Sequence, residues 1–412
     1  MKKQIIYSVL ILSSVLFNPF TIQAQADEGF IHGTVTTIDD NVYTGAIRWG
    51  KEEVYWSDFF NSIKTSNDYL KYLSREDEEQ LRDSESYWWE EWLNINIDIE
   101  NYNARTHVFT CQFGDIKSLK IITKSKVDLE LKNGHIYHLK GGSNDIGATI
   151  RVLDNDVGLI KLDWDRIYKV EFSETPEVLT EKFGDPLNGT VQTSLGSFTG
   201  LIQWDHDERV STDELDGDIK DGDVSIKFGK ILSISKDGRG SLVVLHSGNE
   251  YYLTGSNDVN SQNRGIIVTV EGMGRVDINW DEFRKVTFEE NNLFSGNAYA
   301  SYKTPNNLRG TVVPVGQNSV SGILIFDLDE VWDIEILDGK DRGLEYSIPF
   351  KNIKKIIPKN YKWSNIELKN GENILLGEMQ DVSDRNDGVL VFENKEDQVY
   401  FPWEKIEEIH FK

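Results

Sequence analysis

The sequence contains one cysteine, Cys111, among 412 residues. An intrachain disulfide and a cysteine-rich zinc site are therefore excluded, and we expect apolar cores, assisted at most by bound cations, to stabilise the fold. The chain also lacks a G-x-S-x-G elbow, a phosphate-binding P-loop and an H-E-x-x-H segment. No motif therefore supports hydrolase, nucleotide-dependent or zinc-protease chemistry.

Basic residues are in the minority, with 44 lysines and arginines against 69 aspartates and glutamates, and they form no basic run. A net charge of −25 repels the phosphate backbone of nucleic acids and anionic lipid surfaces, so we expect no nucleic-acid partner. With 39% apolar and 27% charged residues the composition is globular, which excludes disorder and collagen-like architecture.

Long apolar runs are missing after the N-terminus. There, two lysines precede an apolar stretch at 5–17, and Ala24 and Ala26 are the small residues that signal peptidase accepts. The stretch is shorter than the roughly 20 residues that span a bilayer, so we interpret 1–26 as a signal peptide cleaved after Ala26. We expect a mature protein that is periplasmic or secreted and has no transmembrane segment.

Similar sequence segments occur three times along the chain. Gly-Thr-Val begins at Gly33, Gly189 and Gly310, and each time a second glycine and an apolar strand follow. A tryptophan and a phenylalanine close each stretch: Trp164 and Phe172, Trp280 and Phe288, Trp403 and Phe411. We therefore predict three homologous copies and name them copy one (27–174), copy two (186–290) and copy three (308–412).

Each copy divides into halves, because the pattern apolar-x-aromatic-x-x-apolar-x-x-apolar occurs six times. Its aromatic members are Phe113, Trp164, Phe228, Trp280, Phe350 and Trp403. The pattern predicts a strand, one tight helical turn and a closing strand. A unit of about 50 residues buries little core unless its sheet closes on itself, which favours a small barrel. We predict an all-β fold in which each copy is a pair of small five-stranded barrel-like units, giving six separate cores; a six-bladed propeller is the alternative.

The order of these elements resembles that of Sm-like and PRC-barrel type β-barrels. Copy three shows it in the run from Gly322 to Asp327, followed by Phe350 and Ile353. The sequence from Tyr43 to Glu53 also resembles sequences of secreted bacterial repeat proteins. The resemblance implies modules that bind or assemble, and none of the matched positions is a catalytic residue.

An amide beside a carboxylate follows a strand in every copy. The pairs are Asn144 and Asp145, Asn257 and Asp258, and Gln380 and Asp381. Such residues satisfy backbone donors at a strand end, and the same oxygens suit a polar ligand.

Copy two also carries a run of closely spaced carboxylates from 213 to 223. Its members are Asp213, Glu214, Asp216, Asp218, Asp221 and Asp223. One interpretation is a calcium site formed by the five aspartates, and the other is a solvated acidic face. Lys220 interrupts the EF-hand order, and no cofactor other than calcium is implied.

Copy one contains an insertion at about 61–104 that the other copies lack. Ser74 to Asp77 predicts the start of a helix, and three tryptophans follow at Trp88, Trp89 and Trp92. On a helix Trp88 and Trp92 share one face. These aromatics either cap a barrel end or form a recognition surface for a partner.

Taken together, these features predict a non-catalytic binding or scaffold protein. We expect it to contact an envelope or extracellular protein or glycan through its loops and its insertion. A glycan hydrolase with two carboxylates about 5–10 Å apart is one alternative. A calcium-dependent adhesion module is another.

Overall fold

A computed structural model describes residues 27–84, 108–141, 145–289, 295–395 and 397–412. Within these ranges the protein is all-β, with one α-helix and a few isolated 3-10 turns. None of the described helices has the length and apolar character needed to cross a membrane.

The described part of copy one forms a ten-stranded antiparallel sheet in the order β4-β3-β7-β6-β5-β10-β1-β2-β8-β9. Its strands are β1 (His32–Thr37), β2 (Val42–Trp49), β3 (Phe59–Lys64), β4 (Val108–Gln112), β5 (Ile116–Thr123), β6 (Lys126–Leu131), β7 (Ile136–Lys140), β8 (Ile150–Asp154), β9 (Gly158–Leu162) and β10 (Ile167–Phe172). Helix α1 (Arg75–Ser84) lies between β3 and β4.

Copies two and three share a second antiparallel sheet, which is joined across the copies by β19 and β24. The strands of copy two are β11 (Asn188–Thr193), β12 (Ser197–Trp204), β13 (Glu214–Ile219), β14 (Gly222–Lys227), β15 (Ile231–Asp237), β16 (Gly240–Leu245), β17 (Glu250–Leu253), β18 (Ile266–Val270), β19 (Gly274–Ile278) and β20 (Phe283–Phe288). Those of copy three are β21 (Arg309–Pro314), β22 (Val320–Phe326), β23 (Ile336–Asp341), β24 (Leu344–Pro349), β25 (Ile353–Pro358), β26 (Trp363–Leu368), β27 (Asn373–Gly377), β28 (Val389–Phe392), β29 (Gln398–Phe401) and β30 (Ile406–Phe411). The β13–β14 hairpin forms a separate two-stranded sheet.

The glycine that opens each copy lies where two strands approach closely. Gly33, Gly189 and Gly310 are each opposite the closing phenylalanine of their own copy. A Cβ at Gly33 would lie 2.4 Å from the carbonyl oxygen of Glu171, so a larger residue would push the strands apart. Tight strand packing therefore explains why the sequence places glycine there three times.

The six aromatic residues of the repeated pattern are all buried, but they do not occupy six separate cores. In copy one, Trp49 at the end of β2 lies 5.4 Å from Phe113 and 5.8 Å from Trp164, measured between ring centroids. Trp204 and Phe326 connect the aromatics of copies two and three in the same way. None of the three described sheets closes into a barrel. The prediction of six cores is therefore wrong, because the second strand of each copy inserts its aromatic residue between the halves.

The insertion of copy one packs on copy three. Helix α1 begins after Ser74, whose hydroxyl accepts the backbone N–H of Asp77, as the sequence predicts. Half-buried side chains at 69–81 contact a patch of buried copy-three residues: Ile325, Leu328, Val331 and Leu390. Trp88, Trp89 and Trp92 lie outside the described residues. The described part of the insertion therefore covers apolar surface of another copy instead of the end of its own.

Candidate functional site

The second strand of each copy ends in a tight turn that returns a glutamate to the sheet. Glu53 pairs with Trp49, and Glu208 and Glu330 hold the same position in the later copies. The turn uses left-handed backbone, which Gly50 adopts freely at φ 61° and Asp205 tolerates at φ 47°. Local backbone geometry thus places a carboxylate beneath each turn.

Each of these glutamates lies beside the aspartate that the sequence singles out. We call the three combinations acid pairs: Glu53 with Asp145, Glu208 with Asp258, and Glu330 with Asp381. Glu53 and Glu330 are only 9% and 7% exposed. In all three glutamates Oε2 is buried without a hydrogen-bond partner among the described residues. Sequence analysis found the aspartates but missed the glutamates.

Burial raises the pKa of both members of each pair, and the charge of the paired aspartate raises the pKa of each glutamate further. Burial, followed by the charge of Asp258, raises the pKa of Glu208 to about 9. Burial raises the pKa of Asp145 to about 7 and that of Asp381 to about 8. Burial therefore favours the neutral form of both carboxyl groups, and the charge of one member disfavours ionisation of the other.

The aspartates of the acid pairs hold a neighbouring strand in place. Oδ2 of Asp145 accepts the backbone N–H of Asn61 in β3 at 2.7 Å, and Asp258 and Asp381 accept the equivalent N–H groups of β13 and β23. The main-chain oxygen of Asp145 also accepts Nε1 of Trp49 at 2.9 Å. Asn144 lies outside the described residues, whereas Asn257 donates to Asp205 and Gln380 is half-buried. The aspartates therefore satisfy backbone donors of a strand that is distant in sequence, whereas the prediction placed those donors at the end of the preceding strand.

A second carboxylate, five residues after the glutamate, connects the copies. We call Asp58, Asp213 and Glu335 the turn acids; one oxygen of each accepts two backbone N–H groups of its own turn. The other oxygen forms an ion pair with a cationic side chain of another copy. The three ion pairs are Arg209 with Asp58 at 2.6 Å, Arg48 with Asp213 at 2.7 Å, and Lys64 with Glu335 at 2.6 Å. In each copy the turn acid follows the glutamate by five residues, and this constant spacing could have identified the turn acids from the sequence.

The acidic run of copy two forms the β13–β14 hairpin. Asp216 and Asp218 lie on β13, Asp223 lies opposite Asp218, and Asp221 lies at the turn. Both oxygens of Asp213 are engaged by Arg48 and by its own turn, as described above. The described residues contain no group of three or more histidine, cysteine, aspartate or glutamate side chains placed to hold a metal ion. Calcium binding by this run stays a prediction.

A polar cleft of about 530 Å³ lies where copy one meets copy three. It is lined mainly by Asn133 and His135 of the β6–β7 turn, by Asn306 and Asn307 just before copy three, by Arg309 at its start, and by Trp332. The rings of His135 and Trp332 lie 5.3 Å apart. The cleft is open to solvent, and its lining is more polar than apolar.

Several polar groups of this cleft have no partner among the described residues. The carboxamide of Asn307 and the guanidinium of Arg309 form no hydrogen bond or ion pair there, and Nε1 of Trp332 is buried without an acceptor. Burial lowers the pKa of His135, which favours the neutral ring. The cleft therefore combines aromatic surface with unengaged donors and acceptors.

Sequence analysis missed the cleft, because its residues come from a hairpin turn of copy one and from a distant segment that leads into copy three. One feature of the sequence could have pointed to the cleft. Trp332 occupies the position of Tyr55 and Val210, which are both fully buried where copies one and two pack together. In copy three the same position carries a large aromatic residue that remains half-buried.

Comparison of the chain with protein-family models, with curated proteins and with solved structures finds no match. Its function therefore has to be argued from the geometry of the molecule.

Proposed function

We propose that this protein is a non-catalytic binding protein that acts outside the cytoplasm, after removal of residues 1–26, and holds a glycan in the cleft between copies one and three. The observation that carries the proposal is a pair of polar side chains, Asn307 and Arg309, that line the cleft beside the half-buried ring of Trp332 and have no partner among the described residues. Both residues belong to the segment that leads into β21. The turn acids and the aspartates of the acid pairs are hydrogen-bonded within the fold, whereas the side chains of Asn307 and Arg309 of this cleft have no partner among the described residues.

The chemistry of the cleft suits a hydroxyl-rich ligand. A carboxamide such as that of Asn307 both donates and accepts, as a sugar hydroxyl does, and the guanidinium of Arg309 adds fixed donors. The rings of Trp332 and His135 offer apolar faces for the C–H groups of a sugar. Sugars present both kinds of surface on one molecule.

The three copies support a scaffold role, since they fix the walls of the cleft. Asn133 Nδ2 donates to the carbonyl of Pro305 at 3.3 Å, and Lys64 joins β3 to Glu335 below Trp332. The matching strand registers and the constant spacing of the turn acids support three homologous copies of one module. In this proposal the copies position a binding surface and carry no reaction.

Calorimetric or NMR titration with a panel of soluble oligosaccharides tests the proposal. We expect at least one to bind the mature protein, and we expect Asn307→Ala and Trp332→Ala to weaken its binding about tenfold or more, since each removes contact groups. Tyr361→Ala is the matched control, because this tyrosine is 63% exposed and outside the cleft. Unchanged binding by both cleft variants, or no binding of any oligosaccharide, would refute it.

A glycan hydrolase is the second candidate, and the acid pair of copy two favours it. Glu208 is half-buried, and its pKa is raised to about 9 beside Asp258, which matches a proton donor next to a carboxylate. Reducing-sugar release from oligosaccharides that Glu208→Gln abolishes would support this candidate. No release by the wild type would exclude it for the substrates used.

A further inference from the structure

The pairing of β19 with β24 joins two copies through the outer edges of their strands. Each strand has one other neighbour, β18 and β23 respectively. Four residue pairs form this antiparallel junction: Arg275 with Ser347, Val276 with Tyr346, Asp277 with Glu345, and Ile278 with Leu344. Within the described residues, strands of two different copies therefore already pair edge to edge.

Strand β9 holds the place of β19 in copy one, and β14 holds the place of β24 in copy two. Pairing with the inner strands shows the correspondence: Ile160 takes the position of Val276, and Val224 takes that of Tyr346. Among the described residues, β9 pairs only with β8 and β14 only with β13. Their outer edges therefore present backbone N–H and C=O groups without a ladder partner.

We propose that β9 of one molecule pairs with β14 of a second copy of this chain, in the geometry that β19 and β24 adopt within it. The corresponding register places Lys161 opposite Asp223 and Ile160 opposite Val224. Because the two edges differ, the contact is heterologous, and molecules join head to tail. This inference concerns a surface separate from the cleft and does not depend on the proposed function.

The charges at this register favour the intermolecular contact. Lys161 and Asp223 are both exposed, and neither forms an ion pair within the described part of the chain. The internal junction sets Asp277 against Glu345 at the same position. Glu345 forms an ion pair with Lys340 at 2.5 Å, and Nε2 of His206 lies 2.9 Å from Asp277. Opposite charges directly across a strand pair stabilise it, whereas like charges destabilise it.

The same charges make the contact selective. A lysine on an edge strand discourages pairing with unrelated strands, and Lys161 finds its counter-charge only on an edge that carries an acid at the matching position. The equivalent of Lys161 on β29 is Tyr400, which packs beneath the insertion. Exposed apolar residues beside the edge, Val157 and Leu159, are 62% and 52% exposed and would lose contact with water on pairing.

Sedimentation velocity of the mature protein over a range of concentrations tests this proposal. We expect the weight-average mass of the wild type to rise with concentration. We expect Lys161→Asp and Asp223→Lys each to weaken association about tenfold, because each sets like charges opposite one another. An equimolar mixture of the two variants restores opposite charges at every contact and should recover association.

Lys126→Asp is the control for the change in net charge, because Lys126 is exposed on β6, which has neighbours on both sides. Both edge residues are exposed, so their replacement leaves the core intact, and unchanged melting curves would verify folding. A wild type that stays monomeric, or association that either variant leaves unaffected, would overturn the proposal. Failure of the mixture to recover association would overturn the register.

Discussion

Replacing Glu208 by glutamine should stabilise the protein above neutral pH and leave its stability unchanged in acid. Burial, and then the charge of Asp258, raises the pKa of Glu208 from 4.5 to about 9, so folding favours its neutral form. The contribution of this group to stability is full below about pH 4.5 and is lost as the pH rises towards 9. Glutamine keeps the shape of the neutral acid and cannot ionise.

The size of the effect follows from the raised pKa. Each tenfold difference in proton affinity is worth about 1.4 kcal/mol, so ionisation at about pH 8 costs at most about 5 kcal/mol. Glu208 is half-buried, and solvent screening reduces this to about 2 kcal/mol. Because copies two and three share one sheet and one core, such a gain raises the Tm of this larger unit by about 4–8 °C.

Thermal unfolding followed by circular dichroism, for the wild type and Glu208→Gln from about pH 4.5 to 8.5, measures the difference. Glu214→Gln is the matched control, because it removes the same charge from an exposed position on β13. The two curves should coincide in acid and separate as the pH rises. A difference that is the same at every pH, or one in which the variant is less stable at high pH, would refute the reasoning.

Three further predictions concern the junctions and the acidic hairpin. Arg209→Ala should destabilise the contact of copies one and two by about 3–5 kcal/mol in chemical denaturation, because it leaves Asp58 buried without its cation; a loss below about 1 kcal/mol would contradict this. Leu73→Ala should lower the Tm, because it removes an apolar contact between the insertion and copy three. It should also make copy three more susceptible to proteolysis, and an unchanged rate of proteolysis would contradict the prediction. If the acidic hairpin binds calcium, millimolar Ca²⁺ should raise the Tm and Asp218→Ala with Asp221→Ala should abolish the rise; no shift in the wild type excludes the site.

The sequence by itself determined the features that depend on neighbouring residues. Alternation and tight turns identified an all-β chain, the glycines marked close strand approaches, and Ser74 marked the start of α1. Burial of Phe113, Trp164 and their counterparts also followed from the pattern. These properties are local, because backbone conformation and the face on which a side chain lies are set within a few residues.

Only the tertiary structure decided which residues distant in sequence contact one another. The sequence placed Asp145 at a strand end, but its approach to Glu53 depends on a turn nearly a hundred residues earlier in the chain. The sequence placed Asp213 in an acidic run, and only the fold shows that Arg48 of another copy lies 2.7 Å from its carboxylate. The shared cores, the insertion on copy three and the cleft beside Trp332 have the same origin. Each depends on contacts between distant segments, and those are set by how whole copies pack, which no local pattern encodes.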